Sequence, residues 1–275
     1  MSPIDGSEAN VSSLPATEIT RGRFEGVANV VRFNWPLYVA GASAVAVGVA
    51  LTMLPWLPRW AAVIVLAGVC VAVYLLVASL VVSHWVYDRS SVYRLDWARR
   101  LVGESPRSLV NLHSGFDESS ERLARIFPGA KLDVLDFYDP VRMTEPSIAR
   151  ARRQQAGEAS VWLSTTTQRI TVTNLPLPEG TVDAAFLIFA AHEVRDADDR
   201  QKLFDQLCRS LKPGGRLILL EHLRDAGNFA VFGPQFVHFL SRRTWLEHAA
   251  RSGLIAVETF TITPFVRCFV FERPS

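Results

Sequence analysis

Two long stretches without a charged residue, 37–54 and 61–82, constrain this chain more than anything else in it. The first, LYVAGASAVAVGVALTML, would rise about 27 Å as a helix, close to the thickness of a hydrocarbon core. The second, AAVIVLAGVCVAVYLLVASLVV, is longer and reaches across the same core with some tilt. Between them lie Pro55, Trp56, Leu57, Pro58, Arg59 and Trp60, a tight turn with two tryptophans, whose rings favour the headgroup layer. Residues 31–88 therefore read as a helical hairpin across a bilayer. The competing reading is a pair of core helices in a soluble domain, which usually keep a polar face; neither stretch has one.

The flanks give an orientation. Arg21, Arg23 and Arg32 precede the first stretch, and Arg89, Arg94, Arg99 and Arg100 follow the second, against Arg59 alone in the turn. The positive-inside bias puts both termini, and all that follows residue 88, in the cytoplasm, as an integral protein of an inner or plasma membrane. Residues 1–18 are polar and Ser-rich, lack the basic n-region and cleavage site of a signal peptide, and open a flexible segment expected over residues 1–30. A net charge of +2 gives no reason to expect nucleic acid as a partner. Cys70, Cys208 and Cys268 have no ligand spacing, so neither a metal site nor a disulfide framework is expected.

Residues 89–275 alternate strand and helix. Residues 108–112 form a short apolar strand that ends in a turn around Gly115, and 119–127 have helical spacing. Residues 131–136 are a second strand, and a charged stretch over 144–153 has Pro146 at a helix start. Residues 182–190 (VDAAFLIFA) make a near-continuous apolar strand of the kind buried on both faces. An amphipathic helix over 197–211 stops at Lys212-Pro213-Gly214-Gly215, and the next strand covers 216–220. A helix over 244–252 precedes two β-rich runs, 254–261 and 265–272, which face each other across Pro264. This order predicts an α/β fold: a doubly wound, mostly parallel seven-stranded sheet closed by a C-terminal antiparallel hairpin.

The segments NLPLPEGTVD (174–183) and LKPGG (211–215), in this order and spacing, resemble those of class I S-adenosylmethionine-dependent methyltransferases over residues 105–275. The resemblance implies a doubly wound fold that binds S-adenosylmethionine at the carboxyl ends of its strands, where the strand order reverses. It places Asp136 on the ribose hydroxyls with Phe137 beside it, although Asp136 also reads as a solvated or capping carboxylate. The chain departs from the family at the first turn. Where an acid-x-Gly-x-Gly-x-Gly run is implied, it has Asn111, Leu112, His113, Ser114, Gly115, Phe116 and Asp117, so only the middle glycine remains. Asn111, His113, Gly115 and Asp117 then make a rebuilt cofactor turn, in which Asp117 and Glu118 pair with the cofactor's positive charges or Asp117 caps the following helix. Thr171 and Val172 stand where the family commonly has an acid on the adenine amino group.

Two clusters end neighbouring strands: Ala191-His192-Glu193-Val194-Arg195 and Glu221-His222-Leu223-Arg224-Asp225. His192 or His222 is a candidate general base, because imidazole titrates near neutral pH, and Glu193 a candidate orienting acid. Arg195, Glu221 and Arg224 are candidates for holding substrate. Helix caps and surface ion pairs are the alternative for all of them. Residues 227–240 carry four phenylalanines, Phe232 among them, and His238, but no charge; they are a core helix or a greasy gate towards the membrane. Tyr87 and Asp88, directly after the second span, reach over the same entrance. These features predict a membrane-anchored methyltransferase for a hydrophobic or lipid-like small molecule, such as a phenol, a quinone or a natural-product intermediate. The alternative is a degenerate methyltransferase fold acting as a membrane-bound ligand sensor or scaffold.

Overall fold

The computed structural model describes residues 21–158 and 161–275; the expectation for residues 1–20 lies outside them. The elements, in order, are α1 (Glu25–Thr52), α2 (Arg59–Ser83), a π-helical turn (His84–Arg89), α3 (Ala98–Val102), β1 (Ser108–His113), α4 (Ser120–Ile126), β2 (Lys131–Asp136), α5 (Pro146–Glu158) and α6 (Val161–Thr166). They continue with β3 (Thr167–Arg169), β4 (Val182–Ile188), a 3₁₀ turn (Ala191–Glu193), α7 (Ala197–Ser210) and β5 (Leu211–His222). The last are α8 (Ala226–Phe232), a 3₁₀ stretch (Gly233–His238), α9 (Arg242–Arg251), β6 (Ile255–Thr263) and β7 (Val266–Glu272).

The seven strands lie in the order β3-β2-β1-β4-β5-β7-β6, with β7 antiparallel to both its neighbours and the other pairings parallel. The doubly wound sheet is thus as the strand–helix alternation predicts. The central strands alternate between two cores. Ala185, Leu187, Leu217, Leu219, Phe269 and Phe271 face the layer of α7 and α9, while Ala184, Phe186, Ile218, Leu220, Cys268 and Val270 face the layer that takes in the foot of α2. Burial on both faces explains why β4 reads as an unbroken apolar run. β1 and β4 are neighbours at the point where strand order reverses, so the crevice beyond His113 and Ile188 is where such a sheet binds a ligand.

The two sequence segments that carry the resemblance serve the frame. Asp183 accepts from the amides of Arg107 and Ser108 (2.8 and 2.9 Å), holding the start of β1, and pairs with Lys212. β5 begins earlier than expected, at Leu211 opposite Val182, and then bulges so that Arg216 pairs with Ala184. Gly214 has φ +74°, and a Cβ at Gly215 would stand 2.9 Å from the Lys212 carbonyl and 3.0 Å from that of Val182. Only glycines allow the bulge.

The uncharged stretches form two antiparallel helices that the rest of the chain leaves bare: 6% and 0% of their most apolar windows are buried. Both are long and apolar enough to cross a membrane. They meet at small residues. A Cβ on Gly41 would lie 2.9 Å from Leu76 and one on Gly48 2.4 Å from Val69, and the Tyr38 hydroxyl bonds to Ser79 Oγ at 2.9 Å. Close approach at glycine is how helices associate where no hydrophobic drive acts between them. α1 kinks at Asn34 (φ −116°, ψ 19°), two residues before Pro36, which cannot donate to the preceding turn.

Residues 25–30, expected in the flexible segment, are instead the first turns of α1. Asp88 explains this: its carboxylate has no exposed surface, accepts from the amides of Gly26 (2.6 Å) and Val27 (3.1 Å), and pairs with His84 (2.9 Å). It caps a helix 61 residues away in sequence and clasps the foot of the hairpin to the π-helical turn. Residues 227–240 are not one helix either. α8 ends at Gly233 (φ +54°), where a Cβ would stand 3.2 Å from Leu75 of α2, and a 3₁₀ stretch follows.

Candidate functional site

The first turn is rebuilt around polar side chains. Gly115 (φ +98°) makes the bend beyond β1. Asn111, 1% exposed, donates through Nδ2 to Asp117 (3.3 Å), Ser119 (2.9 Å) and Ser120 (2.8 Å). Asp117 Oδ1 also accepts from the amides of Ser119 and Ser120 (2.8 and 3.0 Å), an Asx-type cap on α4. His113 Nδ1 takes the Gly115 amide at 3.2 Å. Three buried atoms of this turn have no partner: Asn111 Oδ1, His113 Nε2 and Asp117 Oδ2. Buried polar atoms are nearly always satisfied, so this concentration marks a place for a polar ligand.

Asp136 ends β2 as expected, yet its carboxylate is engaged. Arg152 of α5 donates to Oδ2 at 2.6 Å, the Tyr138 amide donates to Oδ1 at 2.9 Å, and the Arg152 guanidinium lies 4.5 Å from the Tyr138 ring centre. Arg152 also overhangs the first turn, since a Cβ on Gly115 would meet its guanidinium at 2.7 Å. Gln155, one helical turn on, bonds both the amide and the carbonyl of Asp117 (2.9 and 2.8 Å). α5 is thus latched across the crevice. Phe137 is core, 1% exposed. Thr171 is exposed in a tight turn bridged to Asn174, and the Val172 carbonyl is held by Gln206 at 2.9 Å.

Beside the first turn opens a polar cavity of about 480 Å³. Its wall carries a partly buried ion pair, Arg21 with Glu118 (2.8 Å), and the Arg21 guanidinium lies 4.3 Å from the Tyr93 ring centre. Burial raises the Glu118 carboxyl above its usual range in spite of Arg21. Arg21 Nε and Nη2 have no partner.

A second cavity, about 860 Å³, runs from Leu37, Tyr38 and Ala72 of the helical pair, past Phe232, to His192, Glu193 and His238. Tyr87 lines both cavities. At the inner end His192 Nδ1 bonds to Glu221 Oε2 (2.7 Å) and its Nε2 faces Glu193 Oε1 (3.2 Å). His238 Nε2 stands 3.6 Å from the same Glu193 oxygen. Burial opposes a charged His192, but the carboxylates of Glu221 and Glu193 prevail and hold it up at about 10. Glu193 resists burial through His192 and His238, which keep its carboxyl well below the usual range.

His222 is a different histidine. Its Nδ1 donates to the Phe265 carbonyl (2.9 Å), its Nε2 accepts from the Tyr87 hydroxyl (2.8 Å), and it stacks between Phe189 and Phe239 (both 5.0 Å). Burial holds its pKa down at about 4, so it is neutral with both nitrogens engaged. Arg224 grips the carbonyls of Val237 and Phe239 (2.5 and 2.7 Å) and so fixes the stretch that presents His238. Arg195 donates to the His238 carbonyl at 2.7 Å and lies against its ring.

The structure therefore gathers His192, Glu193, Glu221, Arg195 and His238 into one cluster, and Asn111, His113, Gly115, Asp117 and Asp136 into another. Asp88 and His222 belong to the clasp and the aromatic stack beside them. Arg152 and Gln155 are site residues that sequence alone shows only as members of a charged stretch, ARARRQQ; their i, i+3 spacing on one helical face is the available signal. Arg21 likewise reads in the sequence only as a flanking charge.

Residues 121–219 match the sequence profile of a family described as a methyltransferase domain. The demethylmenaquinone methyltransferase of Thermus thermophilus is 30% identical over 131 residues, 46% of this chain and 54% of that protein. The protein of the same description from Deinococcus radiodurans is 28% identical over 152 residues, 54% of this chain and 58% of that protein. The chain spans little more than half the length of these curated relatives. A solved S-adenosylmethionine-dependent methyltransferase of Aquifex aeolicus is 16% identical, with a TM-score of 0.46 over 68% of this chain and 94% of that one. The profile match, the strand order and the two sequence segments together support a class I S-adenosylmethionine-dependent methyltransferase fold for residues 105–275.

Proposed function

We propose that the chain is a membrane-anchored methyltransferase that takes an apolar acceptor directly from the bilayer. The observation that carries this is the second cavity, walled at one end by the bare helical pair and at the other by His192, Glu193 and His238. The acceptor's apolar body lies against Leu37 and Ala72, and its polar head reaches Glu193, whose Oε2 is buried without a partner. His192, pinned by Glu221, orients Glu193 rather than serving as the base itself. The curated relatives are named for demethylmenaquinone, and a phenolic or quinone-like acceptor suits a cavity of this composition.

The residues present fit S-adenosylmethionine. Asp136 offers a carboxylate to ribose hydroxyls, Gly115 and the three unpartnered atoms of the first turn offer a polar seat, and Arg21 with Glu118 offers one charge of each sign to the zwitterionic amino-acid end. When bound, the cofactor supplies an electrophilic methyl group. The protein's part is to hold the acceptor's reacting atom in line and exclude water, which accounts for much of the acceleration in such transfers.

Titration of S-adenosylmethionine into the full chain in detergent tests the cofactor half. Asp136→Ala should weaken binding by about 10- to 100-fold, the loss of charge-assisted hydrogen bonds. Arg152→Ala, which frees Asp136, should strengthen it several-fold. Arg152 seated on Asp136 is also the observation that favours a sensor without turnover; no binding by either the wild type or Arg152→Ala at millimolar ligand would establish that reading. For the acceptor half, Ala72→Trp fills the cavity from the helix side. It should raise KM for a vesicle-embedded phenol by about tenfold at unchanged cofactor affinity, as for lost substrate binding alone. An unchanged KM would mean the acceptor enters elsewhere.

A further inference from the structure

His192, Glu193 and His238 bring one ligand atom each to within 4.8 Å of one another at one end of the second cavity. Two imidazoles and a carboxylate with room for a further ligand is the donor set of catalytic zinc sites. The supporting shell is also in place. Glu221, wholly buried, bonds His192 Nδ1 at 2.7 Å and accepts the His192 amide at 3.2 Å. A carboxylate on the far nitrogen fixes the ring plane and turns Nε2 toward Glu193 Oε1, 3.2 Å away, so that an ion entering between them would replace the proton they share. Glu193 supplies an independent sign of a missing partner: it is 8% exposed, and its Oε2 meets no donor.

We propose that this trio binds a divalent transition metal of the zinc class, and that the metal's open position takes the oxygen of the acceptor. The metal site stands on the geometry alone; the acceptor's role rests on the methyltransferase reading. A divalent ion lowers the pKa of a bound hydroxyl, which selects an apolar molecule with an acidic hydroxyl, a phenol, hydroquinone or enol. The hydroxyl's proton passes to water, and the oxygen's electron pair forms the new bond to the methyl carbon. The sulfur–carbon pair returns to sulfur, leaving a neutral thioether. The methylated oxygen, now uncharged, is a poorer ligand and leaves.

Arg195 is the competing cation. Its guanidinium lies against the His238 ring, with Glu145 Oε1 3.9 Å from Nη2.

The test is the chelator-stripped full chain in detergent, titrated with Zn²⁺ against a chromophoric chelator and with Co²⁺ by visible absorption. One ion per chain is expected, with a Co²⁺ spectrum of four- or five-coordinate type. His238→Ala and Glu193→Gln should each weaken Zn²⁺ binding more than 100-fold. Glu221→Gln should weaken it by about 10- to 100-fold, the effect of losing an outer-shell carboxylate. Arg195→Ala should tighten it. Retained S-adenosylmethionine binding in each variant shows that the fold is intact. No uptake at 100 µM Zn²⁺, or uptake indifferent to His238→Ala and Glu193→Gln, overturns the metal site and leaves the methyltransferase reading standing. Stoichiometric metal without any cofactor binding does the reverse. Metal binding with turnover of a phenol unaffected by chelation overturns the acceptor's role alone.

Discussion

His192→Gln and Glu193→Ala are each expected to lower methyl transfer by about 10²- to 10⁴-fold while leaving S-adenosylmethionine affinity within a few-fold of the wild type. The reason is where the two side chains stand. They end the turn after β4, at one end of the second cavity, whereas the first turn and Asp136 lie across β1 and β2. His222→Gln is the contrasting variant. Its nitrogens are committed to Tyr87 and Phe265, so its loss should change the rate by less than about tenfold and act on stability instead. Single-turnover rates with a phenolic acceptor, beside calorimetric cofactor affinities, separate the two groups. Equal rate losses in His192→Gln and His222→Gln would mean that the cluster acts as packing and that the methyl acceptor is held elsewhere.

The frame was legible because it obeys short-range rules. β2 begins and ends where its apolar alternation does, and α7 starts at Asp196, whose side chain accepts from the amides of Asp198 and Asp199. β4 is recognisable because a strand covered on both faces needs no polar positions. What failed to show were contacts between distant parts of the chain. Asp88 follows the second apolar stretch in sequence and so looks like a group near the entrance; only folding reveals that it caps α1. The bulge in β5 was hidden because Pro213 and two glycines signal an interruption without saying whether pairing resumes before or after it. His192 and His222 look alike on paper, each beside an acid at a strand end. Their difference comes from neighbours 29 to 135 residues away: Glu221 for His192, Tyr87 and Phe265 for His222. Arg152 could not be linked to Asp136 by any local pattern, since the two meet only when α5 folds back over β2.

The neutral state of His222 should also make the folded chain sensitive to acid. Burial holds its pKa at about 4, against 6.5 for the free side chain, with the nearby His192 charge adding to the depression. Between those values the unfolded chain binds a proton that the folded chain refuses, so stability rises with pH across that window. The contribution is fully present above about pH 6.5. It has fallen by about 2 kcal/mol at pH 5 and by about 3 kcal/mol below pH 4, since each pH unit between the two pKa values is worth about 1.4 kcal/mol. His248 adds to the same slope: burial and Arg200, which donates to its Nε2 at 3.0 Å, hold it at about 4. Chemical unfolding in detergent at pH 7 and pH 5 measures the sum. His222→Gln should start less stable at pH 7, because Tyr87 and Phe265 lose their partner, yet lose about 2 kcal/mol less on acidification. The same loss in the variant as in the wild type would show that His222 already carries a proton in the folded state. The Tyr87 hydroxyl would then be accepting rather than donating, and the wall common to the two cavities would hold a charge.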